Sequence, residues 1–81
     1  MEKTVERIKK VFESVFDGEI DISAVKPEAE LIGDIGMNSI GMLYMAMALE
    51  EEFGIKFTNA DFGELRTVND VAALIMRKTA V

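Results

Sequence analysis

Asn38-Ser-Ile-Gly-Met-Leu-Tyr-Met-Ala-Met-Ala-Leu-Glu-Glu-Glu-Phe-Gly54 is the stretch whose reading decides the fold. Asn38 is a favoured N-cap, because its side-chain oxygen accepts from amides of the first turn, and Ser39 then stands at the first helical position. Gly54 suits the left-handed residue that closes a helix. Between them, the ten residues from Ile40 to Leu49 carry no charge. A helix apolar on every side is either enclosed or keeps a second face for another purpose. In a chain of 81 residues it cannot be enclosed all round. Spacings of three and four divide it into two stripes. Met42, Met45, Ala46, Leu49 and Phe53 form the expected core face. Ile40, Leu43, Tyr44 and Met47 form a second face, expected to stay largely uncovered and to dock a partner. The plainer alternative is that neighbouring helices cover both stripes. Glu50, Glu51 and Glu52 follow at the end, where three carboxylates oppose the helix dipole. They read either as a contact for a basic partner or as a solvated charge run.

Working outward, residues 4–16 have the pattern of an amphipathic helix. Val5, Ile8, Val11, Phe12, Val15 and Phe16 share one face, with charged residues opposite. Thr4 is a candidate cap at its start and Gly18 a candidate residue past its end. Residues 17–37 form a long connection with the single proline, Pro27, and with Gly33, Asp34 and Gly36 near its end. A connection of about twenty residues is unusual in a compact domain. It is expected to be ordered, pinned by Ile20, Ile22, Val25, Leu31, Ile32 and Ile35, with a short helical turn after Asp21 or Pro27. Residues 55–58 are a short linker. Asn59 to Leu65 reads as one or two helical turns weakened by Gly63. Thr67 and Asp70 have capping-box spacing. The last helix turns Val68, Val71, Ala72, Leu74 and Ile75 inward, with Arg77 and Lys78 at its favourable end. No segment alternates as a strand does. The expected fold is all-α: one small four-helix bundle over residues 1–81, with three main helices, one short helix and a long first loop.

Composition narrows function. The chain is 49% apolar and 30% charged, a globular balance, with net charge −6. That charge disfavours nucleic acid, where a basic surface supplies most of the affinity, and anionic membranes. The N-terminal run Met-Glu-Lys-Thr-Val-Glu-Arg lacks a signal-peptide pattern, and the longest uncharged apolar stretch, ten residues, is too short to span a bilayer. A cytoplasmic, monomeric protein is expected. There is no Cys and no His, so neither thiolate nor imidazole chemistry is available. Gly36-Met-Asn-Ser39-Ile-Gly41 is one residue too long for a nucleophile elbow, and the usual base is missing, which argues against a hydrolase. Asp17-Gly-Glu-Ile20 resembles the middle of a calcium loop, but Val15 and Ala24 would occupy ligand positions and cannot ligate. An unmodified helical interaction module is a rival reading of the apolar face. Ser39 remains. The first turn of a helix offers free amides and a partial positive charge, a good setting for a phosphate ester; on its own, a serine there is more often a cap.

Gly36 to Phe57, with its Asn-Ser-Ile triplet and its Leu-Glu-Glu-Glu-Phe end, resembles the central motif of acyl carrier proteins, in which Asp-Ser-Leu opens the helix. The amphipathic first helix, the long first loop and the Thr67-Val-x-Asp-Val71 start of the last helix extend the resemblance over nearly the whole chain. It implies that Ser39 receives a 4′-phosphopantetheine arm from coenzyme A through a phosphopantetheinyl transferase. Acyl groups would then ride as thioesters on the arm's thiol and be presented to acyl-loading and acyl-processing enzymes, so that the protein is a carrier and not an enzyme. It also implies that Ile40, Leu43, Tyr44, Met47, Glu50 and Glu51 meet those partners, with Asn38 capping the helix beside the arm. Asn38 replaces the usual Asp, Ile40 replaces Leu, and Gly41 and Tyr44 stand where fatty-acid carriers commonly place acids. The face is greasier and less negative than that of a housekeeping carrier. This points to a specialised lipid or secondary-metabolite pathway, with an aminoacyl or peptidyl cargo as the alternative. Met37, Met42, Met45, Met47 and Met76 are candidate lining for an acyl pocket, against the plainer reading of core filling.

Overall fold

Helices form where the apolar periodicity puts them. In a computed structural model that describes residues 2–16, 18, 20 and 22–79 (backbone alone for Glu2 and Ile22), four helices are present: α1 (Glu2–Phe16), α2 (Ser39–Phe53), α3 (Asn59–Phe62) and α4 (Val68–Thr79). Among the described residues the sole strand-like pairing is an isolated antiparallel bridge of Glu30 with Thr67. The fold is the expected all-helical one. Its core joins Ile8, Phe12 and Phe16 of α1 to Met45 and Leu49 of α2 and to Val68, Val71 and Ile75 of α4, and no polar or charged side chain is buried among the described residues. Full burial of each such side chain stabilises by about 1.5–3 kcal/mol.

Boundaries shift for local reasons. α1 begins by Glu2, so Thr4 lies inside its first turn and does not cap it; Glu and Lys are good helix formers and nothing before Thr4 breaks the helix. Gly18 follows α1 with a left-handed φ of 88°. α3 is one turn, shorter than the 59–65 reading, and ends at Gly63. Thr58 caps it in a capping box with Asp61, a Thr-x-x-Asp signal that the sequence reading passed over.

The long connection is ordered, and a 3-10 turn at Ile22–Ala24 supplies the helical turn expected after Asp21. Val25, Leu31 and Ile35 are buried as expected, and Ile20 packs half-buried against the core. Ile32 is instead 60% exposed. The Asp34 and Ile35 amides both donate to the Glu30 carbonyl, closing a tight turn that sends Leu31 and Ile35 inward and Ile32 out. Asp17, Glu19 and Asp21, and the Ile22 side chain, lie outside the described residues. Backbone bonds then fasten the connection to the start of α4: Leu31 N–H to the Arg66 carbonyl (2.9 Å), Val68 N–H to Ala29 (3.0 Å) and Asn69 N–H to Pro27 (2.8 Å).

The bundle measures 34 × 25 × 21 Å. Its shortest axis is close to two helix diameters of about 10–12 Å. Every helix therefore keeps one face at the surface, including one that is apolar all round.

Candidate functional site

The connection delivers the chain to α2 in a fixed pose. Met37 N–H donates to the Leu31 carbonyl (3.0 Å), and the Met37 side chain is buried. Asn38 follows in extended conformation, and its Oδ1 accepts from Gly41 N–H at 2.7 Å while its carbonyl accepts from Met42 N–H at 2.9 Å. Asn38 is thus the N-cap, and Ser39 stands exposed at the first helical position.

The two long helix starts on this side of the core differ. At α4 the first three amides, of Val68, Asn69 and Asp70, donate to the Ala29 carbonyl, the Pro27 carbonyl and Thr67 Oγ1. At α2 only Gly41 of the first three is satisfied; among the described residues the Ser39 and Ile40 amides meet no protein acceptor. No acid lies in that first turn. Two free amides, the positive end of the helix dipole and an exposed hydroxyl make α2 the start that suits a phosphate ester.

The stripes of α2 separate as the spacing predicts. Met42, Met45, Ala46 and Leu49 are buried and Phe53 is half-buried, whereas Ile40, Leu43, Tyr44 and Met47 are 61%, 55%, 57% and 63% exposed. The acidic end divides in a way that no pattern signals. Glu50 Oε2 accepts from Phe57 N–H (2.8 Å), tying α2 to the linker before α3. Glu52 pairs with Arg7 at 2.8 Å, and the same guanidinium reaches the Glu52 carbonyl and lies 4.2 Å from the Phe53 ring centroid. Glu51 is exposed and pairs with no described residue. The methionines do not converge on one pocket: Met37, Met42 and Met45 are buried, whereas Met47 and Met76 are 63% and 42% exposed.

No helix among the described residues is long and apolar enough to cross a membrane. The family profile described as a phosphopantetheine attachment site matches residues 6–75. An acyl carrier protein of Desulforapulum autotrophicum is 34% identical over 73 residues, covering 90% of this chain and 94% of that protein. Acyl carrier proteins of Bdellovibrio bacteriovorus and Thermotoga maritima are each 39% identical over 59 residues, covering 73% of this chain and 76% and 73% of those proteins. The exposed hydroxyl, the Ser39 and Ile40 amides that meet no acceptor among the described residues, and a first turn of α2 without an acid fit the group that the profile describes. With a profile match over most of its length and a relative that aligns nearly end to end, the chain belongs to the acyl carrier protein family, whose cofactor is covalently attached 4′-phosphopantetheine.

Proposed function

We propose that residues 1–81 form a single carrier domain with no catalytic activity of its own, and that Ser39 is its attachment point. The Ser39 Oγ–P bond forms at the expense of the phosphoanhydride of coenzyme A, 3′,5′-ADP leaves, and a phosphopantetheinyl transferase takes up the hydroxyl proton. When bound, the group supplies a thiol on a flexible arm, which a chain without Cys lacks, and holds acyl cargo as a thioester. Asn38 holds the helix start, and the Ser39 and Ile40 amides face the phosphodiester. Ile40, Leu43, Tyr44 and Met47 dock acyl-loading and acyl-processing enzymes, with Glu50 and Glu51 at the edge of that face. The protein acts as a cytoplasmic monomer.

The observation that carries this reading is the exposed serine at the start of α2, where the Ser39 and Ile40 amides meet no acceptor among the described residues, in a chain matched by the attachment-site family. Gly41 and Tyr44, in place of acids, support a specialised pathway with dedicated partners. Intact-mass measurement after incubation with coenzyme A and a phosphopantetheinyl transferase tests the attachment. Wild type should gain one phosphopantetheinyl unit and Ser39→Ala none, with its helical circular dichroism unchanged. A wild-type chain that gains nothing, or an alanine variant that still gains the unit, removes the proposal.

A further inference from the structure

The exposed stripe of α2 carries both halves of one contact. Ile40, Leu43 and Met47 stand three and four residues apart, the spacing of a seam between two helices, with Tyr44 beside them. Each of the four is more than half exposed. The ends of the stripe differ in sign. At its start, the Ser39 and Ile40 amides meet no acceptor among the described residues, and no acid lies in the first turn. At its far end, one turn past Met47, Glu51 is exposed and pairs with no described residue, while Glu50 and Glu52 are engaged within the fold.

We infer that the unmodified chain pairs reversibly with a second copy of itself, α2 against α2, antiparallel about a two-fold axis. Charge complementarity decides the occupant. Across such an axis residue i meets j while j meets i. With the axis level with Tyr44, Leu43 of each copy lies against Met47 of the other, and Glu51 of each comes to the positive helix start of the other. One arrangement thus covers both apolar stripes and gives each start of α2 the acid it lacks. The net charge of −6 on each copy opposes pairing, but no charge lies between Ser39 and Leu49. At physiological ionic strength the remaining repulsion is screened over about 8 Å. A seam this short is a small interface, so the pair is weak. Its release rests on the attachment reading: a phosphodiester on Ser39 puts a negative charge where the second copy's Glu51 would sit. The modified carrier is therefore single, and the unmodified chain is the form that pairs.

The test is sedimentation velocity with light scattering on the unmodified chain, at physiological ionic strength, over about a hundredfold range of concentration. The average mass should climb from that of one chain toward that of two, as mass action requires. Leu43→Glu, at an exposed position that leaves the core face of α2 intact, should stay single, with circular dichroism confirming its fold. Glu51→Gln should weaken pairing by about three- to thirtyfold, the worth of two helix-end contacts. Met76→Glu, exposed on α4 and outside the seam, should pair as wild type does. The chain carrying the arm, confirmed by intact mass, should stay single. The mass of one chain at every concentration, or a rise that Leu43→Glu and Glu51→Gln leave unchanged, overturns the pairing. A pair that survives attachment of the arm overturns the release. A chain that pairs as described but accepts no arm upholds the pairing and removes the attachment reading alone.

Discussion

Asn38 meets the needs of the helix as well as an aspartate would, yet it changes the charge beside the attachment point. Asn and Asp are near-equal N-caps, and Oδ1 makes the capping bond to Gly41 N–H at 2.7 Å. Asn38→Asp should therefore leave the thermal midpoint almost unchanged, whereas Asn38→Ala should lose about 1 kcal/mol. Both are readable by thermal or urea unfolding. Asn38→Asp also restores the carboxylate that the family usually places there, and a time course of transferase loading should run faster than wild type. Loading that slows would mean that this site has adapted to a neutral neighbour. At the other end of α2, Gly54 sits at φ 65° with its N–H on the Glu50 carbonyl. A β-carbon there costs about 1–2 kcal/mol in the left-handed conformation, so Gly54→Ala should be destabilising in the same assay, with no effect on loading.

At the scale of elements, the helices were legible because their signals are local: a stripe every three or four residues, a cap before it, a glycine after it. α2 was read residue for residue, and its two faces with it. The ties between elements were not legible. Leu31 with Arg66 and Val68 with Ala29 are backbone pairings across the fold, which leave no side-chain pattern. Glu50 and Glu52 looked like one surface run until their partners, the Phe57 amide and Arg7, were placed beside them. Ser39 could be singled out because of its position, but the free state of its neighbouring amides appears only when α4 is seen to have its own satisfied. Two carboxylates at helix starts predict an acid response. Asp70 accepts from the Thr67 and Arg66 amides, and Asp61 from the Thr58 amide with Lys78 2.9 Å away. These bonds, above all those from the Thr67 and Thr58 amides, hold both carboxyls below the ordinary value of 3.8. A depressed folded-state pKa contributes stability that is present above the unfolded value and is lost as pH falls through the folded one. Stability should thus be flat at neutral pH and fall below about pH 4. Asp70→Asn should flatten part of that fall in urea unfolding at stepped pH; an unchanged slope would show that the bonds to Asp70 do not favour its charged form.

At the scale of the whole molecule, an overall charge of −6 coexists with an apolar face on α2, and they predict different partner behaviour. Charge-led docking weakens with salt, because exposed charges are screened over about 8 Å at physiological ionic strength. Apolar docking does not. Two of the three glutamates at the end of α2 are engaged within the fold, by Phe57 N–H and by Arg7, which leaves Glu51 as the carboxylate most available to a basic partner. Ile40, Leu43, Tyr44 and Met47 together present the larger resource, each more than half exposed. Affinity for an acyl-processing partner, measured by calorimetry with the loaded chain, should therefore fall by less than about threefold between low and moderate salt, where charge-steered association falls steeply. Leu43→Ala and Met47→Ala should each weaken binding by more than about 1 kcal/mol, as central apolar anchors do. Glu51→Gln should mainly slow association and soften the salt dependence, as rim charges do. If binding collapses in moderate salt, and Glu51→Gln costs more than Leu43→Ala, the acidic end leads recognition and the apolar face has some other use.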